Sequence, residues 1–183
     1  MNVVETSLPG VLILEPKAWP DDRGSFYESW ERERYAAAGL PSDWRQDNTV
    51  ESKYGVLRGM HFQHPHPQHK LVYCVVGEIL DVAVDVRRDS PTFGKWVGVR
   101  LSAENRRQLS VPAGFAHGYQ VLSERSVVIY KCSTRYEPAF ERSLRWNDPT
   151  VGIEWPIEPT AVAPKDRNAP LLAEYSPDQL PST

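Results

Sequence analysis

Short runs of alternating apolar and polar residues dominate the chain. "ILDVAVDVR" is the clearest: on an extended strand Leu80, Val82, Val84 and Val86 fall on one face, and Asp81, Ala83, Asp85 and Arg87 on the other. One face is expected to pack and the other to do something polar. Further strands are predicted at "VLILEP", "SFYESW", "GVLRGMHFQ", "KLVYCVV", "KWVGVRL", "RRQLSVP", "HGYQVLS" and "VVIYKCS", each rich in β-branched or aromatic residues and bounded by proline, glycine or polar turns. Only "WERERYAAAG" predicts a helix, because Glu31 to Ala38 are good helix formers and Gly39 suits the position just past a helix end. Many strands without βαβ alternation predict an all-β fold of two packed antiparallel sheets, with a jelly-roll barrel preferred and short helices at its periphery. From Asn147 the pattern lapses into "DPTVGIEWPIEPTAVAPKDRNAP", which predicts an irregular segment, 147–183, wrapped over the barrel.

Length and charge narrow the picture. A chain of 183 residues with 40% hydrophobic content supports one sizeable core, so a single domain over 1–183 is expected, without repeats or a linker. A net charge of −3 argues against a surface built to neutralise nucleic acid. No apolar run approaches the roughly 18 residues of a membrane span, and the N-terminus lacks a basic head followed by an apolar run. No membrane partner and a cytoplasmic location are therefore expected. Cys74 and Cys132 sit in apolar strand-like runs outside any CxxC pair, as reduced core cysteines do.

The chemistry concentrates in "GVLRGMHFQHPHPQHK", where four of the five histidines, His61, His64, His66 and His69, fall within nine residues. "HPH" offers the histidine pair by which jelly-roll cupins often bind a divalent metal, and "PAGFAH", ending at His117, resembles their second motif. Lys70, however, stands where the glutamate ligand is expected, and a cation opposes metal binding, so no metal site is expected. His64, His66 and His69, separated by prolines among polar residues, are expected on a solvated turn. His61 lies within a strand-like run. Lys70, Tyr130 and His117 likewise interrupt apolar strands, and inward positions of neighbouring barrel strands meet around one cavity. A histidine, a lysine and a tyrosine there can act as base, oxyanion stabiliser and acid, a set suited to removing a proton next to a carbonyl and returning it.

In order and spacing, "DDRGSFYESW", "RQDN", "GVLRGMHFQ", "QHKLVYCVVGEILDVAVDVRRDSPTFGKWVGVRLSAEN", "VPAGFAHGYQVLS", "YKCSTRY" and "WNDPTVGIEWP" resemble the dTDP-4-dehydrorhamnose 3,5-epimerase family. The resemblance runs from Val3 to Glu174. It implies a homodimeric, cupin-like jelly roll that needs no metal or other cofactor. It also implies a nucleotide-linked 4-keto-6-deoxy sugar as substrate, inverted at C5 and C3 on the way to dTDP-L-rhamnose. By motif, His61 would be the general base, Tyr130 the general acid and Asp166 the partner of His61, with Lys70 near the sugar carbonyl; from their place on the polar face of their strand, Asp81 and Asp85 are expected to orient Lys70. Arg23, Phe26 and Glu28, in the N-terminal 1–50 stretch that would help build the dimer, would reach over from the partner subunit. Gln46, Asn48, Arg58 and His117 would grip the nucleotide sugar from the home subunit. Tyr136 would stack on the thymine, with Glu141 and Arg167 completing the rim.

One point conflicts with a regular strand: alternation puts Arg58 and His61 on opposite faces, so a bulge at Gly59 is expected if both serve the ligand. Two other functions stay open: an epimerase acting at C3 or C5 only on a related sugar, and a cupin-like sugar nucleotide binding module without catalysis. Retention of base and acid together argues against the second.

Overall fold

The computed structural model describes residues 1–182. In chain order the first strands are β1 (Asn2–Glu5), β2 (Leu12–Glu15), β3 (Ala18–Asp21) and β4 (Gly24–Tyr27), followed by helix α1 (Arg32–Ala37). Then come β5 (Gln46–Lys53), β6 (Val56–Gln63), β7 (Lys70–Val76), β8 (Glu78–Asp85) and β9 (Trp96–Ser102). The remainder comprises β10 (Gln108–Val111), β11 (Phe115–Val121), β12 (Arg125–Cys132), β13 (Glu141–Ser143), β14 (Ala161–Val162) and the short helix α2 (Pro164–Arg167).

These strands form two large sheets, ordered β1-β2-β10-β7-β12-β5 and β13-β6-β11-β8-β9, with β14 added to β6 and a separate β3–β4 hairpin. Apart from the parallel β14–β6 pair, every ladder is antiparallel. The fold is a jelly roll of two packed sheets, as the patterning predicts. Between the sheets, Val72, Cys74, Ile79, Leu109, Phe115 and Val128 build one core. Each fully buried side chain of this kind is worth about 1.5–3 kcal/mol.

β8 is arranged opposite to the simplest expectation. Its continuous apolar face, Leu80, Val82 and Val84 with Val86 beyond, points out of the barrel, where Val151, Leu172 and Leu180 of the C-terminal segment cover it. The face carrying Asp81 turns inward. Sequence alternation thus identifies two faces correctly, but the wrap makes the outer one dry.

α1 packs its buried Tyr35 against Leu14 and Leu71 on the outside of the other sheet. The Glu31 carboxylate caps it by accepting from the Glu33 and Arg34 amides, and Gly39, at φ 87°, follows its end. β5, β13 and β14 had no clear signature. β5 is polar at nearly every position, yet it pairs along its whole length with β12, bringing Asn48 opposite Tyr130.

The expected irregularity at Gly59 is present. Against β11, His61 lies opposite His117 and Arg58 opposite Tyr119, so three steps along β6 match two along β11. Gly59 takes φ 112° at this bulge, and a Cβ on it would stand 2.6 Å from the Gly118 Cα and 2.8 Å from the His117 carbonyl oxygen. The extra residue resets the alternation, so Arg58 and His61 line the same cavity.

Candidate active site

That cavity, about 590 Å³, opens between β5, β7 and β12 on one side and β6 and β11 on the other, with Ala161, Ala163, Lys165 and Asp166 of the C-terminal segment closing one flank. At its centre His61 Nε2 lies 2.6 Å from Asp166 Oδ1. Asp166 is buried, and its second oxygen accepts from the Gly59 amide at 3.2 Å. Burial works to raise the Asp166 pKa, but the hydrogen bond and charge of His61, the Gly59 N–H and nearby Lys165 outweigh it and hold it below the usual carboxylate value. An ionised carboxylate can only accept, so Nε2 carries the proton and Nδ1 keeps the lone pair. The pair joins residues 105 apart in sequence.

From the other sheet, Lys70 and Tyr130 face the same space. The Lys70 ammonium is buried, which lowers its pKa against the raising influence of Cys132, Asp81 and Glu141, and Nζ sits 3.4 Å from the His61 carbonyl oxygen. Burial pushes the Tyr130 phenol up to about 12, so it holds its proton at neutral pH. A second histidine–carboxylate pair stands beside it: His117 Nε2 donates to Asp81 Oδ1 at 2.7 Å, and the His117 and Tyr130 ring centroids are 6.5 Å apart. Asp81 thus engages His117 rather than orienting Lys70 by a hydrogen bond. Asp85 is tied to Arg87, Ser90 and Thr92, away from the cavity.

The residues expected to hold a ligand separate into two groups. Gln46, Asn48, Arg58, His117, Tyr136 and Glu141 all line the cavity. At its rim Glu141 accepts from Lys165 at 2.9 Å and 3.0 Å and from the Tyr136 hydroxyl at 3.1 Å. Arg167 does not line it. Successive residues of a helix point about 100° apart, and in α2 it is Lys165 and Asp166 that face the cavity. Arg23, Phe26 and Glu28 lie on or just after the β3–β4 hairpin, outside this chain's own cavity: Arg23 pairs with Asp21, Glu28 with Arg34, and Phe26 is 65% exposed.

Sequence reasoning missed Lys165, whose one signal was adjacency to Asp166, and treated Cys132 as plain core although it also borders the cavity. The loop histidines differ from one another. His66 is exposed and lies 2.9 Å from Glu137 Oε1, in keeping with a solvated turn. His69 is not in solvent: its ring meets Trp44 edge-on, its Nε2 lies 2.7 Å from Ser110 Oγ, and burial pushes its pKa down to about 4. The reason is that the chain is already entering β7, whose outer face is covered.

A jelly roll that holds a histidine–carboxylate pair opposite a half-buried tyrosine has the fold and the acid–base equipment of a carbohydrate epimerase. Comparison with known proteins agrees. The profile of the dTDP-4-dehydrorhamnose 3,5-epimerase family matches residues 5–174. The Shigella flexneri enzyme of that name is 51% identical over 170 residues, 92% of this chain and 94% of its own length. A crystal structure of dTDP-6-deoxy-D-glucose-3,5-epimerase from Legionella pneumophila, in complex with dTDP-4-keto-L-rhamnose, superposes with a TM-score of 0.97 at 46% identity, covering 100% of this chain and 98% of that one. A 3'-monoepimerase from Streptomyces bikiniensis, in complex with dTDP-quinovose, superposes with a TM-score of 0.91 at 38% identity, over 97% and 91% of the two chains. This chain belongs to the dTDP-4-dehydrorhamnose 3,5-epimerase family.

Proposed function

We propose that this protein inverts C3 and C5 of dTDP-4-dehydro-6-deoxy-D-glucose, giving dTDP-4-dehydro-L-rhamnose. The observation that carries the reading is the pairing of His61 with Asp166 on one side of the cavity and the protonated Tyr130 on the other. The 4-keto group acidifies the hydrogens at both neighbouring carbons, because the carbanion is delocalised as an enolate. His61 Nδ1 removes the proton, and Asp166 supports the imidazolium that forms. The buried Lys70 ammonium stabilises the enolate oxygen, a role typically worth a few kcal/mol of transition-state energy. Tyr130 then protonates the opposite face. The steps are redox-neutral proton transfers within reach of side chains, so the reading calls for no cofactor.

In the same reading the protein is a cytoplasmic homodimer of single jelly-roll domains. Among the described residues no helix is long and apolar enough to cross a membrane. The β3–β4 hairpin supports the dimer, since it carries Arg23 and Phe26, with Glu28 just after it, outside the home cavity and leaves Trp19 and Phe26 exposed. Nucleotide binding follows from Tyr136 at the rim together with Arg58, Gln46 and Asn48.

The similarity to a 3'-monoepimerase supports a second reading, in which the same base and acid act at one carbon only. Solvent deuterium incorporation into dTDP-4-keto-6-deoxyglucose, followed by NMR without a reductase, separates the two. Label at both C3 and C5 is expected for the double epimerase and label at one carbon for the second reading. No label with active, folded protein would remove this sugar as the substrate.

A further inference from the structure

The chemistry above uses nothing from His64 to His69, and Gln63 just before them has no role in it either. Gln63 ends β6, lines the cavity as His61 does two residues earlier, and is 3% exposed. Its side-chain amide is spent on backbone groups of two other segments. Nε2 donates to the His66 carbonyl at 2.7 Å and to the Arg135 carbonyl at 3.3 Å, and Oε1 accepts from the Glu137 amide at 2.9 Å.

Arg135 and Glu137 flank Tyr136, the aromatic residue at the rim. Residues 133–137 lie between β12 and the next helical turn and belong to no strand or helix. Side chains fix them instead. Besides Gln63, Gln46 Oε1 accepts from the Tyr136 amide at 2.9 Å, and Gln68 Nε2 donates to the Thr134 carbonyl at 3.0 Å. The Tyr136 hydroxyl is held by Glu141, which stands opposite Gln63 in the β6–β13 ladder.

We propose that Gln63 is a positioning residue for the nucleobase: it ties the strand that carries His61 to the segment that carries Tyr136, and so sets where that ring stands for stacking. The inference rests on the nucleotide-sugar reading given above. The Tyr136 ring is 46% exposed, so packing alone does not hold it, and a stacking surface free to wander must be ordered when the ligand binds. A buried amide that satisfies backbone groups on both sides of Tyr136 removes that cost beforehand. The stretch from His64 to His69 then serves as a buttress behind Tyr136, with His66 Nδ1 2.9 Å from Glu137 Oε1 on its outer side.

The test measures dTDP affinity by titration calorimetry for the wild type, Gln63→Met, Tyr136→Ala and the double variant. Methionine is similar in length and makes none of the three hydrogen bonds. Tyr136→Ala is expected to weaken binding about tenfold or more, as loss of a stacked aromatic does. Gln63→Met should weaken it about fivefold, and the double variant should bind no worse than Tyr136→Ala, because Gln63 acts only through that ring. In turnover Gln63→Met should raise KM by a similar factor with kcat within about twofold, a split that loss of folded protein does not produce. Gln63→Glu keeps the acceptor for Glu137 but loses the donors to His66 and Arg135; it should show the same split, and it carries the test if the methionine variant does not fold. Unchanged dTDP affinity in the Gln63 variants, or a loss that multiplies with that of Tyr136→Ala, would overturn the inference. Unchanged affinity in Tyr136→Ala would remove the stacking itself and the inference with it, so the two failures are read from different variants.

Discussion

His61 keeps its lone pair on Nδ1 because Asp166 holds the proton on Nε2. Asp166→Asn weakens that hold: an amide can donate as well as accept, so the ring is free to present the wrong tautomer. We expect kcat to drop by roughly 10²–10⁴ with a much smaller change in KM, measured by coupled assay. His61→Ala should lose deuterium exchange at both carbons while its thermal melt stays within a few degrees of wild type, since the ring is partly exposed; normal turnover would sink the assignment. Tyr130→Phe separates the two half-reactions. The base still removes the C5 proton, but nothing delivers one to the far face, so label should enter C5 without inverted product appearing in the NMR spectrum.

At the scale of elements, the crossing of β6 and β11 depends on two glycines in contact. A Cβ on Gly118 would stand 2.5 Å from the Arg58 carbonyl oxygen and 2.6 Å from Met60 Sδ. Gly118→Ala is therefore expected to cost about 3 kcal/mol or more, lowering Tm by on the order of 10 °C in a chain of this length, and to impair turnover by moving Arg58. Asp148 does comparable work in the C-terminal wrap. It is buried and accepts from the Thr150 hydroxyl at 2.6 Å and from the amides of Leu172 at 2.6 Å, Thr150 at 2.8 Å and Val151 at 3.3 Å. Burial alone would raise its pKa, but these donors lower it. A carboxylate with a depressed folded pKa adds stability above its unfolded value, near 3.9, and loses that contribution as the pH falls through the folded value. Asp148→Asn should thus be destabilised by about 2–3 kcal/mol at neutral pH, and the gap to wild type should narrow below about pH 4 in urea melts.

The same elements explain what was legible beforehand. Strands with a dry face, such as β7, β8 and β12, announced themselves by alternation and β-branched content. β5 did not, because its partner strand supplies the hydrogen bonds and its side chains serve a cavity that stays polar. The Gly59 bulge was readable only as a conflict between alternation and the need to bring Arg58 and His61 together. Which residue of "PKDRN" meets the cavity was not readable at all: it depends on the rotation of α2, which is set by contacts with β6 far away in sequence.

For the molecule as a whole, the outer surface leaves an unpaired edge and an aromatic hairpin. β1 ends its sheet with Val3 40% exposed and Val4 38% exposed, and Trp19 and Phe26 protrude together, their rings 5.9 Å apart. Such an edge is usually covered. In the proposed dimer the wild type should sediment at twice the 20.8 kDa chain mass. Trp19→Asp combined with Phe26→Asp should shift it toward monomer and weaken dTDP binding at least tenfold, although neither residue lines the home cavity. Unaltered mass and affinity would remove the hairpin from both roles.

The 105-residue gap between His61 and Asp166 also bears on how the protein comes into being. During translation every barrel strand is made before Asp166, the partner of His61 in the proposed proton-transfer pair. A nascent chain whose last residues are still inside the ribosome can pair its sheets, yet it lacks the carboxylate that sets the histidine tautomer. In the proposed mechanism full proton-transfer power arrives only when the segment carrying Asp166 docks, so this activity would report on that segment being in place rather than on the barrel strands alone.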